Sequence, residues 1–133
     1  MKRSGFGLAA ALVLGSVCAP VGMAQDSKPH DGSWVAQYPQ RKNNNMLEAV
    51  VVLRGSTGTW NVTPPSMRAK NPCLGRDYPV SVVAESADSI ELAVHGSKAL
   101  TGCSDLSVKL KRVDEKTFEG LIDDTRKVTL KRQ

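Results

Sequence analysis

Two histidines and three cysteines are all the imidazole and thiol ligands in this 133-residue chain, and they show no zinc-ligand spacing. No glycine-rich loop is arranged to cradle phosphate, and no carboxylate pair stands isolated in an apolar setting. No stretch of ten or more residues carries an amphipathic helical pattern. His95 has Ser97, Ser104 and Asp105 close in sequence, but nothing sets a base within reach of a nucleophile or builds an oxyanion hole. The inventory predicts a protein that is not an enzyme, with no metal and no cofactor.

What is there begins with an export signal over residues 1–24. Lys2 and Arg3 open it, Leu8 to Val17 form its apolar stretch, and Gly22-Met23-Ala24 supply a small-residue cleavage site. The apolar stretch is shorter than the about 20 residues a spanning helix needs, so no membrane span is expected. Cys18 follows Val17, where a lipoprotein signal wants a small residue, so ordinary cleavage after Ala24 is expected. Cleavage removes 24 of 133 residues and leaves 109, the size of one domain. It also removes two cations and no acid, lowering the net charge from +5 to +3. That is well short of the dense basic face of a nucleic-acid binder, and no specific nucleic acid is expected as partner.

Removing Cys18 leaves Cys73 and Cys103, an even pair in an exported chain, which reads as a disulfide. The polar residues 25–31, with Pro29, read as a mobile leader, and residues 32–133 as a single β domain. Apolar runs recur there between turn-forming clusters at Ser33–Tyr38, Met46–Leu53, Thr57–Thr63, Pro79–Ala84, Ile90–His95, Leu106–Arg112, Phe118–Ile122 and Lys127–Arg132. Lys98 to Leu100 reads as a single helical turn. The fold class is all-β: a small eight-stranded antiparallel meander barrel, with a β-sandwich as the alternative.

Alternation is clearest late in the chain. Leu106, Val108 and Leu110 oppose Ser107, Lys109 and Lys111, and Val128 and Leu130 oppose Lys127, Thr129 and Lys131. Phe118 and Ile122 face in, which puts Glu119 and Asp123 between two lysine rows. The remaining inward set is Trp34, Ala36, Tyr38, Leu47, Ala49, Val51, Leu53, Trp60, Val62, Val80, Val82, Ile90, Leu92 and Val94. Side chains of this size can fill an eight-stranded barrel, so a packed interior is expected rather than a small-molecule cavity. Val35, Val50 and Val52 then point outward together, either as a contact patch or under cover of the leader. Asn61-Val62-Thr63 matches a glycosylation sequon but falls within a strand and before Pro64, and is discounted.

An up-and-down meander sorts its connections between two ends. One end receives Pro39–Asn45, Pro64–Tyr78, Gly96–Asp105 and Asp123–Arg126; the other receives Arg54–Ser56, Glu85–Ser89 and Val113–Thr117. Both cysteines fall at the first end, as a disulfide requires. That end also carries seven cations against four aspartates, and the other end has an acidic excess. Arg41, Lys42, Arg68, Lys70, Arg76 and Lys98 are therefore the candidate anion-binding rim, displayed on long loops. The alternative is that wet loops simply collect charge.

Gly32-Ser33-Trp34 resembles the Gly-x-Trp that opens the barrels of the lipocalin and avidin group. The resemblance implies a tryptophan closing the barrel beneath a late basic side chain, here Arg132; ligand binding is not carried over. Arg76-Asp77-Tyr78 resembles the second lipocalin motif but falls in a long loop. Taken together, the signal, the early tryptophan, Asn71-Pro72-Cys73, His95-Gly96-Ser97, Gly102-Cys103 and the basic last strand resemble small exported proteins of unassigned function from Gram-negative bacteria, some of them antigens. That resemblance implies a periplasmic or extracellular β-rich protein and no activity. The functional expectation is a non-catalytic binding domain contacting an anionic envelope polymer or an acidic protein. An inhibitor of a host or competitor enzyme and a self-associating envelope component are the alternatives.

Overall fold

The computed structural model describes residues 28–66 and 70–133; the expected signal over 1–24 and rim residue Arg68 lie outside the described residues. Eight strands follow in order: β1 (Gly32–Pro39), β2 (Met46–Arg54), β3 (Thr57–Val62), β4 (Asp77–Glu85), β5 (Ser89–Val94), β6 (Leu106–Asp114), β7 (Thr117–Ile122) and β8 (Arg126–Arg132). One short helix, α1 (Gly96–Ala99), interrupts them before β6. Each strand pairs antiparallel with its sequence neighbours, and β1 pairs with β8, so the sheet closes on itself as a meander barrel. Closure leaves no free edge and rules out the sandwich alternative.

Period-2 alternation explains which side chains enter the barrel. In β6, Val108 and Leu110 are buried while Ser107, Lys109 and Lys111 are exposed. In β1, Trp34, Ala36 and Tyr38 are buried, and antiparallel pairing sets Trp34 opposite Val51 and Arg132. The core is continuous from Trp34 and Phe118, whose ring centroids lie 5.0 Å apart, to Tyr38 and Trp60, 5.7 Å apart. Two large aromatic pairs thus fill the barrel axis. Gly120 lets the β6 backbone approach β7 closely: a Cβ there would overlap the carbonyl oxygen of Lys109 on the neighbouring strand.

Several expectations need correction. Leu47, Val82 and Leu106 are half-buried against the core, because Leu47 and Leu106 lie near strand ends and Val82 borders a β-bulge. That bulge turns Val83 outward, and a matching one in β6 does the same to Val113. Tyr78, assigned to a loop, belongs to β4 and is buried, as is Cys103. Of the two acids expected on the outer face of β7, only Glu119 lies on the strand, opposite Lys111; Thr117 faces Lys131, Leu121 lies between Lys109 and Lys127, and Asp123 belongs to the following turn. Val35 does lie directly opposite Val50, with Val52 further along the same face.

The cysteines are joined as expected, with Cα atoms 5.7 Å apart. Residues 28–31, expected at the end of a mobile leader, instead form a strap against the tight-turn end. His30 is buried there, and one of its ring nitrogens, Nε2, lies 2.9 Å from the Gly55 carbonyl oxygen. Lys28 pairs with Glu85, and the Trp34 indole N–H donates to the His30 carbonyl at 2.9 Å. Asp31 accepts from the backbone N–H groups of Gly55 and Lys28. Burial raises the pKa of Asp31, but those two N–H groups together with the charges of His30 and Lys28 outweigh it and hold the carboxyl below its ordinary value.

Candidate functional site

The two ends of the barrel are closed to different degrees, and the difference locates the site. At the tight-turn end the Arg132 guanidinium lies 4.2 Å from the centroid of the Trp34 ring. Its Nη1 donates to the Asp31 carbonyl at 2.7 Å and its Nη2 to the Pro29 carbonyl at 2.8 Å. Gly32 permits this arrangement twice over. Its φ of +127° suits glycine, and a Cβ would stand 2.7 Å from Arg132 Nη1. The tryptophan-under-arginine floor implied by the Gly-x-Trp resemblance is therefore present, with the strap completing it.

The long-loop end repeats the theme and leaves it open. Arg126, at the start of β8, lies with its guanidinium carbon 5.6 Å from the centroid of the Tyr38 ring. No strap crosses here among the described residues. A mouth of about 400 Å³ remains, walled by Leu47, Val62, Leu106 and Tyr78 and by the Cys73–Cys103 disulfide. The Tyr78 hydroxyl donates to the Cys73 carbonyl at 2.7 Å, tying the second long loop to the wall. Burial raises the pKa of both tyrosines: Trp60 and Arg126 partly offset it at Tyr38, and Arg76 at Tyr78. The Trp60 indole N–H lies near enough to the Tyr38 hydroxyl to affect its ionisation, yet it aligns with no acceptor well enough to bond.

Asp123 organises the charges around this mouth. It and Asp124 both take positive φ, 51° and 60°, in a tight turn closed by Thr125 N–H to Ile122 O. The β7–β8 connection is thus a tight turn of three residues rather than one of the long loops. One Asp123 oxygen accepts from Ser107 N–H, and the other from Arg41 at 2.7 Å, with Arg126 Nη2 at 3.8 Å. Arg126 itself is held by Nη1 donating to the Pro39 carbonyl at 3.2 Å, while its buried Nε finds no partner among the described residues.

The five described members of the expected rim all lie on the loops of this end. Arg41, Lys42, Lys70, Arg76 and Lys98 are exposed. Arg41 is committed to Asp123, and Arg76 donates to the Pro72 carbonyl at 2.6 Å. Lys42 and Lys70 form no ion pair among the described residues. Sequence reasoning missed Arg126, Tyr38 and Tyr78 as mouth residues. The signal was present for Arg126: antiparallel pairing of β1 with β8, which sets Arg132 against Trp34, also brings the start of β8 to the Tyr38 end.

His95 and its neighbours form two separate pairs. His95 Nε2 lies 3.1 Å from Ser81 Oγ, and Asp105 accepts from the Ser97 hydroxyl and backbone N–H at 2.8 and 2.9 Å. The Ser97 backbone N–H, then its hydroxyl, hold the Asp105 carboxyl below its ordinary pKa. The carboxylate orients a serine here and not the imidazole, so the residues do not assemble a Ser–His–Asp relay.

No family model matches the chain, and neither does any curated protein sequence. Among solved structures, a redesigned β-barrel superposes with a TM-score of 0.50 at 16% identity, over 79% of this chain and 92% of that one. That likeness concerns the barrel fold alone.

Proposed function

We propose that the chain is a non-catalytic, exported binding domain that contacts an anionic partner, an envelope polymer or an acidic protein, through its long-loop end. The observation carrying this reading is how the acids there are used. Asp77 accepts from Asn61, Asp105 from Ser97, and Asp123 from Arg41 and Ser107, while Asp124 pairs with Lys109. These acids are engaged with neighbouring side chains and backbone, while Lys42, Lys70 and Lys98 around the mouth form no ion pair among the described residues. Export is supported by the disulfide, which persists in oxidising compartments.

The test compares two charge reversals. Lys42, Lys70 and Lys98 changed together to Glu should weaken binding to a sulfated polysaccharide about tenfold or more at low salt, with screening over about 8–10 Å removing the effect at high salt. Lys111, Lys127 and Lys131 on the outer sheet serve as the control of equal charge. Equal losses from the two triples would mean that binding follows net charge, and the rim reading would be wrong.

A further inference from the structure

We infer that the barrel mouth is a binding site for a small organic carboxylate with an aromatic or apolar body, anchored by Arg126. This builds on the anionic-partner reading but concerns the cup rather than the lysine rim around it. A volume of about 400 Å³ lies in the range of small-molecule sites. A guanidinium carries five N–H donors. Among the described residues the one on Arg126 makes a single hydrogen bond, to Pro39, and a charge contact with Asp123 at 3.8 Å, beyond hydrogen-bonding reach. Its side chain is only 13% exposed, so unused donors cost more there than on an open surface.

Among the described residues no carboxylate lines the cup to compete for those donors, and the oxygens of nearby Asp123 are already engaged by Arg41 and Ser107. A ligand carboxylate accepting from Arg126 would complete its bonding. Leu47, Val62, Leu106, Tyr38 and Tyr78 give the cup an apolar and aromatic surface beside polar Asn71 and Ser104. It matches a hydrophobic body of one or two rings and gives a bare inorganic anion or a sugar polymer little to fill it.

Naphthalene-2-carboxylate is the probe, and the indole N–H resonances of the two tryptophans are the reporters. Trp60 packs on Tyr38 beneath the cup, and Trp34 sits at the far floor. Titration should move the Trp60 signal and leave Trp34 in place. The neutral naphthalene-2-carboxamide should bind about tenfold more weakly or worse, and Arg126→Gln should cost the carboxylate a similar factor. Ser104→Trp, at an exposed position on the lip, should block the cup without changing charge or core. Equal affinity for acid and amide, or carboxylate binding unaffected by Ser104→Trp, would overturn the assignment. The two readings separate cleanly. A lysine-triple variant that keeps naphthoate binding, on a chain that shows no rim-dependent polyanion binding, sinks only the rim.

Discussion

Replacing Arg132 tests the physical account of the closed end. Arg132 bridges three segments distant in sequence: the strap through Pro29 and Asp31, the β6–β7 turn through a long contact to Glu115, and Trp34 through its ring face. Arg132→Met keeps much of the side-chain bulk and loses two short charge-assisted hydrogen bonds and the cation–π contact. Each such bond contributes about 1.5 kcal/mol at the lower limit appropriate to a half-buried arginine, and the ring contact about 0.5–1. The variant should therefore lose about 3.5–4 kcal/mol, or roughly 14–32 °C in Tm for a domain near 100 residues. Arg132→Lys should recover less than half, because an ammonium cannot reach two carbonyls as a planar fork does. Near-UV dichroism follows Trp34, and amide exchange at Gly55, whose N–H is held by Asp31, follows the strap. A stability change within about 0.5 kcal/mol, the usual scatter for surface substitutions, or full rescue by lysine, would refute the role given to the guanidinium.

The barrel was legible in the sequence because its determinants are local. Leu106, Val108 and Leu110 alternating with Ser107, Lys109 and Lys111 admit only one inward face, and turn-forming clusters between successive apolar runs are what a meander requires. The same parity placed both cysteines at one end. The strap was not legible, since residues 28–31 carry no periodicity and are fixed by carbonyls bonded to an arginine about a hundred residues later. His30 is buried because Gly55 and Glu85 converge on it, which no local pattern encodes. At the mouth, long-loop cations were conspicuous and drew the site assignment toward the rim. Arg126 looked like one more strand-end cation. Its importance comes from lying over Tyr38 with donors unused, a fact of packing that sequence spacing hints at only through the β1–β8 pairing. Leu47 and Leu106 fell short of full burial for the same reason, since they form the wall of an opening rather than the core below it.

Two further predictions concern what holds the two ends. Cys73→Ser with Cys103→Ser should cost about 3.5 kcal/mol by restoring the entropy of the loop between residues 30 apart, and a variant with unchanged Tm would count against a structural bond. Asp31→Asn probes the strap through pH. The carboxylate accepts from Gly55 N–H and Lys28 N–H, and the amide can replace only one of those acceptors, so about 1 kcal/mol should be lost at neutral pH. The pKa of Asp31 lies below its ordinary 3.8 in the folded protein, so its contribution is fully present above that value. It fades as pH falls through the lower folded value, where both states bind the proton. The gap between wild type and Asp31→Asn should then hold steady from about pH 7 to about pH 5 and narrow below about pH 4. Asp105, also held below its ordinary value, keeps its acid sensitivity in both proteins and cancels in the comparison. Urea titrations of the pair across that range read the gap directly, and a gap that widens on acidification would show that the carboxylate is not what fastens the strap.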